Sequence, residues 1–202
     1  MRVNYDFFKN RNTIDIAKDL IGKVLVLKTK DNNFIKGIIN ETEAYTEDDE
    51  ASHTFNGKNK KNSVMYYRFG HLYVYFTYGM YYCCNIVTNE KNKGDAVLIR
   101  SVFPIEGLEI MKKNRIKFNK KNKIRFNNIN NKNLTNGPAK VCIAYGISLN
   151  DNGLDLLSKN SHIYLEDLGY IPKKIEITKR IGISKAKELK RRFYTGDFYK
   201  KN

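Results

Sequence analysis

Cysteine is scarce in this chain. Its 202 residues hold three, too few for the disulfide framework of a small secreted scaffold. Cys83 and Cys84 are adjacent in an apolar run, where pairing with each other would strain the bond, and Cys142 is remote. No Cys-x-x-Cys occurs, and no second His or Cys falls at metal-ligand spacing. Neither zinc nor thiol redox chemistry is indicated, and no metal or other cofactor is expected. Reduced, buried cysteines fit an intracellular protein. No stretch approaches the roughly 18 apolar residues that cross a bilayer. The opening MRVNYDFFKNRN carries charge where a signal peptide would be apolar. The expectation is a soluble cytoplasmic protein without membrane contact. Repeats and dividing linkers are missing too, leaving one domain, residues 1–202, long enough to bury a core.

Acids are also in short supply, 21 Asp and Glu against 37 Lys and Arg, for a net charge of +16. The cations cluster. Met111 to Leu134 holds nine and no acid, and Ile171 to the end holds eleven against three acids. Clustered cations are the footprint of a phosphate-bearing partner. The Lys/Asn-rich segment 117–133 reads as low complexity and as a mobile loop.

Apolar periodicity marks the elements. Thr13–Ile21 reads as a short helix stopped by Gly22, and Lys23–Thr29 and Phe34–Tyr45 as a hairpin across KDNN. His71–Tyr78 and Tyr81–Thr88 form a second hairpin around Gly79-Met80, followed by a strand at Asp95–Phe103. Helices are expected over Glu106–Arg115 and from Gly137-Pro138 through Ala144, with late strands at His162–Leu165 and Ile175–Ile183. The fold class is α+β: one mixed domain around a curved, largely antiparallel sheet, with peripheral helices and a protruding β-hairpin.

Against the basic background, six carboxylates fall between Glu41 and Glu50. On an unbroken strand Glu41, Glu43 and Tyr45 share a face with Ile35 and Ile39. A carboxylate continuing an apolar face is either a satisfied buried acid or a tuned base. Periodicity does not choose between Glu41 and Glu43. Glu47, Asp48, Asp49 and Glu50 read as a solvated loop cluster, Tyr73 as strand packing, and His71 and His162 as incidental. Tyr78 with Met80 forms a bulky hairpin tip that marks a contact site, one use being a wedge between base pairs. If that hairpin closes with three residues, Tyr75 and Asn85 lie opposite each other on one face; with two they diverge.

ETEAY (41–45), DEASH (49–53), GHLYVYFTYGMYYCCN (70–85), GDAVLIRSVFPIEGLE (94–109), TNGPAKVC (135–142) and RFYTG (192–196) resemble, in order and spacing, the alkyladenine (methylpurine) DNA glycosylase family. The similarity extends back through AKDLIGKVLV (17–26) to VNYDFF (3–8). The resemblance implies a monofunctional, monomeric and nucleoid-associated enzyme of base excision repair. It would flip damaged purines, 3-methyladenine and related alkylated or deaminated bases, from double-stranded DNA and hydrolyse the N-glycosidic bond, leaving an abasic site. Glu43 matches the carboxylate that holds and deprotonates the attacking water. Arg100 matches the arginine that positions this water near the phosphate, and Ile181 falls where the family offers a backbone carbonyl. Tyr45, His53 and Tyr75 match the walls around the extruded base. Asn85 matches the asparagine that crowds the exocyclic amino group of normal guanine, and Tyr78, with Met80, matches the wedge. No lysine stands out as a Schiff-base nucleophile, so no strand-cleaving lyase step is expected. The competing reading is a non-catalytic nucleic-acid-binding module like the tRNA-binding end of formyltransferases.

Overall fold

The expected strands form around one antiparallel sheet. The computed structural model describes residues 1–125 and 128–199. Its strands are β1 (Val24–Lys28), β2 (Phe34–Tyr45), β3 (Leu72–Thr77), β4 (Tyr81–Val87), β5 (Ala96–Glu106), β6 (Ile163–Glu166), β7 (Glu176–Thr178) and β8 (Arg192–Tyr194). The main order is β3-β4-β5-β2-β1-β6, with β8 also paired to β2 and β7 to β8. The domain is α+β, a curled half-barrel sheet with, among the described residues, three α-helices and the β7–β8 hairpin.

Helix α1 (Thr13–Asp19) starts where the Asn12 side chain accepts from the Asp15 amide, and it buries Ile16 and Ala17 against the sheet. Helix α3 (Pro138–Tyr145) has proline in its first turn and ends on Gly146 at φ 77°. Helix α2 differs from expectation at both ends. Glu106 stays in β5, and the helix runs from Leu108 to Lys121. It starts after Gly107, where φ is 77° and a Cβ would come within 2.5 Å of the Phe34 carbonyl oxygen. Positions 117–121, expected in a loop, are therefore helical. Met111, Arg115 and Asn119 recur at four-residue intervals on its buried face, so packing carries the helix into the Lys/Asn-rich stretch. Positions 126 and 127 of the expected 117–133 loop lie outside the described residues.

One irregularity in β2 sets up the site. The expected alternation places Glu43 with Ile35 and Ile39; the structure does not. The β2–β5 register shifts between Ile39 and Glu41 and again between Glu41 and Thr42. Ile35 and Ile39 enter the main core, but beyond the shift Ala44 does so, and Thr42 donates to the Ala17 carbonyl of α1. The partner strand changes phase with it, since Val102, Ile99 and Val97 all reach that core. Glu41, Glu43 and Tyr45 are thereby turned to the face opposite the main core. At the same point β2 exchanges β1, its neighbour over Phe34–Ile38, for β8, its neighbour over Glu41–Glu43. A bulge that re-aims side chains is a recurrent device next to functional sites.

The expected late strand Ile175–Ile183 shrinks to Glu176–Thr178, and the chain after Thr178 is loop. Among the described residues, no helix is long and apolar enough to cross a membrane.

Candidate active site

A single row of laterally paired residues crosses five strands on this face. Tyr73 of β3 pairs with Asn85 of β4, Asn85 with Leu98 of β5, Leu98 with Glu43 of β2, and Glu43 with Arg192 of β8. Three strand spacings of roughly 4.8 Å separate the β2 and β3 backbones by about 14 Å. Between them lies a cavity of about 590 Å³ lined by Glu43, Tyr45, His53, Tyr75, Asn85 and Arg100, among others. That volume is in the range of small-molecule pockets.

Glu43 has no exposed surface. Its Oε2 accepts from the Tyr45 hydroxyl at 2.8 Å and faces Arg100 Nη1 at 3.3 Å, while its Oε1 accepts from the Ile181 amide at 2.8 Å. Glu41 is different. Its Oε1 accepts from Arg100 Nε at 2.9 Å and from Arg192 Nε at 2.6 Å. Glu41 is engaged by two arginines, whereas Glu43 lines the cavity. The Ile181 amide N–H donates to Glu43, which brings the backbone at Ile181 beside the carboxylate. Burial disfavours the charge on Arg100, but Glu43 and Glu41 outweigh it and raise its pKa.

Tyr45 lies two residues along β2 from Glu43. Burial first, and the Glu43 charge second, push its phenol well above the ordinary value, so it stays a donor. The opposite wall is a corner of three rings. His53 and Tyr75 meet edge to face with centroids 4.5 Å apart, and Tyr73 stacks on Tyr75 at 5.6 Å. Tyr73 packs in a buried cluster, as expected, and its hydroxyl also lies 2.9 Å from His53 Nδ1. Enclosure of the imidazole lowers its pKa below 6.5, favouring the neutral ring. The backbone at His53 is pinned by buried Asn62, whose Nδ2 donates to the His53 and Gly57 carbonyls at 2.8 and 3.0 Å. Burial also pushes the Cys83 thiol up to about 11, leaving it a neutral wall group beside Tyr75.

The hairpin closes with three residues, since Thr77 pairs with Tyr81. Tyr75 and Asn85 do share a face, but Asn85 is directly opposite Tyr73 and lies diagonal to Tyr75. Its Nδ2 donates to the Tyr73 carbonyl at 3.3 Å. At the tip Tyr78 sits at φ 48°, a region uncommon for residues with a Cβ, and its side chain is 80% exposed. Met80 stands beside it, and Tyr78 also lines the cavity mouth.

The acidic cluster is not uniformly solvated. Glu47, Asp48 and Glu50 are exposed, but Asp49 is buried and paired with Arg180, which is buried as well. Arg180 Nη1 and Nη2 both donate to Asp49, Nη1 also donates to the Ala44 carbonyl at 3.0 Å, and the guanidinium lies 4.6 Å from the Tyr45 ring centre. Arg191 adds a contact to Asp49 at 3.2 Å. Burial opposes the Asp49 charge, but Arg180 outweighs it and lowers the pKa. This clamp holds the 180–185 loop over the cavity and presents the Ile181 amide to Glu43. Neither Asp49 nor Arg180 stood out in the sequence, and a contact spanning 131 positions leaves no local signal.

The family described as Methylpurine-DNA glycosylase (MPG) matches residues 6–198. A protein of Francisella tularensis (strain SCHU S4) is 44% identical over 196 residues, covering 96% of this chain and 95% of its own. One from Clostridium perfringens (strain 13) is 43% identical over 204 residues, 98% of this chain and 97% of its own. One from Clostridium novyi is 42% identical over 203 residues, 97% and 96%. All three are provisionally named 3-methyladenine DNA glycosylase.

Proposed function

The chain belongs to the methylpurine-DNA glycosylase family, and we propose that its cavity receives a damaged purine swung out of duplex DNA for hydrolytic release at Glu43. The protein is a 3-methyladenine DNA glycosylase of base excision repair by family and by its relatives' names; the non-catalytic alternative has no comparable support. The observation that carries the mechanism is Glu43 itself, wholly buried beneath aromatic walls and fixed by donors from three directions.

A base inside a helix presents its glycosidic bond to no protein group, so it must be extruded at a cost of a few kcal/mol. Tyr45 on one side and the His53–Tyr75 corner on the other offer stacking surfaces to the extruded ring. A cationic alkylated purine gains roughly 0.5–2 kcal/mol from each such contact. Neutral His53 adds no competing charge. Asn85 crowds the position of an exocyclic amino group, disfavouring undamaged guanine.

A carboxylate has about four acceptor positions. Oε2 faces two donors and Oε1 one, so Oε1 retains capacity to bind a water. As the water oxygen bonds to C1′, Glu43 takes its proton, and the electrons of the C1′–N bond leave with the purine. The cationic base departs neutral, and the sugar keeps a hydroxyl at C1′. The carboxylate also faces the positive character that develops on the sugar. Arg100 orients the water near the phosphate. No lysine is needed, so the strand stays intact.

The test is incubation with duplexes carrying single alkylated adenines, followed by alkali. Strand scission only after alkali is the expected result, and scission before alkali would count against simple hydrolysis. At the hairpin tip, Tyr78→Ser should weaken binding to a lesion duplex while sparing excision from single strands or mismatches, where unstacking costs less. Equal losses on paired and unpaired substrates would remove Tyr78 as the wedge.

A further inference from the structure

Glu41 receives two guanidinium Nε groups on one oxygen, Arg100 from β5 and Arg192 from β8. Arg192 is itself fixed, its Nη1 donating to Thr178 of β7 at 2.9 Å and its guanidinium lying 4.5 Å from the Tyr194 ring centre. Arg100 thus has its Nε committed to Glu41, and its nearest approach to Glu43 is a single Nη at 3.3 Å. That is longer than the roughly 2.7–2.9 Å of a charge-assisted hydrogen bond.

We infer that Glu41, braced by Arg192, is a positioning residue that holds Arg100 edge-on and keeps it from closing as a two-pronged fork on Glu43. Arginine prefers bidentate pairing with a carboxylate. A fork on Glu43 would occupy the oxygen that the water needs and reduce its readiness to take a proton. The four groups also balance, with two carboxylates against two guanidiniums. Glu43 is faced by Tyr45, Arg100 and, beyond Tyr45, Arg180; Glu41 is faced by Arg100 and Arg192. Neutralising Glu41 leaves one guanidinium uncompensated beside the base.

The inference rests on Glu43 as the base, and the test separates the two. Single-turnover excision and lesion-duplex affinity are measured across pH for native protein, Glu41→Gln and Glu41→Gln/Arg192→Gln. In Glu41→Gln the rate should fall about tenfold to hundredfold, as for a small misplacement at a reacting centre, with affinity undiminished. The acid limb of the rate profile should move to lower pH, because the surplus guanidinium favours the charged base. Removing Arg192 as well restores the balance and should move that limb back. A native rate in Glu41→Gln, an unmoved limb, or a matching loss of affinity would overturn the role. An inert Glu43→Gln beside a fully active Glu41→Gln sinks this inference alone, whereas an active Glu43→Gln sinks the proposed base. Should the double variant fail to fold, the limb of Glu41→Gln alone decides.

Discussion

Glu43→Gln should bring base release close to the uncatalysed level, a loss of about 10²- to 10⁴-fold, the range a positioned proton acceptor supplies. The side chain keeps its shape and loses the ability to take a proton from water. The amide also meets an awkward environment, since Ile181 donates on one side and Tyr45 and Arg100 stand on the other. Whichever way it flips, its NH₂ faces a donor, which costs about 1–3 kcal/mol in a buried site. A modest fall in melting temperature should accompany the kinetic loss. Binding should survive within about tenfold, because the stacking walls and the Tyr78 tip that oppose the cost of flipping are untouched. Single-turnover excision and lesion-duplex titration on the same preparation separate the two effects. Retained turnover would displace Glu43 and direct attention to Glu50, the other carboxylate lining the cavity.

The strands and the hairpin were legible because apolar alternation and turn residues are local signals. Leu72–Thr77 and Tyr81–Val87 fall almost where the sequence puts them, around a tip whose composition announces exposure. Glu43 is the instructive residue. Alternation put it on the core side with Ile39, and only the register shift at Glu41 turns it to the cavity. Sequence periodicity contains no term for a register shift between β2 and β5 at the point where β2 also exchanges β1 for β8. The roles given to Glu43, Arg100, Tyr45 and Asn85 came from resemblance, not from pattern. Tyr73 packs in a buried cluster as its strand position suggested, but its hydroxyl contact to His53 joins segments twenty residues apart and left no local signal. Helix α2 outran its expected end because Arg115 and Asn119, polar by type, point inward.

Asp49→Asn should produce the largest loss of stability. Both side chains of the Asp49–Arg180 pair are fully shielded from solvent, and the aspartate also meets Arg191. Removing one charge leaves the Arg180 guanidinium buried without its counter-ion, a change that costs about 3–5 kcal/mol. In a chain of this size each kcal/mol moves the melting temperature about 2–4 °C, so a fall on the order of 6–20 °C is expected. The pH dependence follows the same pairing. Arg180 holds the Asp49 carboxyl below its ordinary 3.8, so this stabilisation is fully present above that value and is lost as pH falls through the lower folded one. In Asp49→Asn that component of the acid sensitivity should disappear. Replacing both partners, as in Asp49→Asn/Arg180→Met, removes the stranded charge and should recover part of the stability. It should not recover activity, because Arg180 also ties the 180–185 loop to the Ala44 carbonyl and so delivers the Ile181 amide to Glu43. A double variant as active as the native protein would show that the loop finds its place without the clamp. Melting curves and single-turnover rates on the two variants decide it.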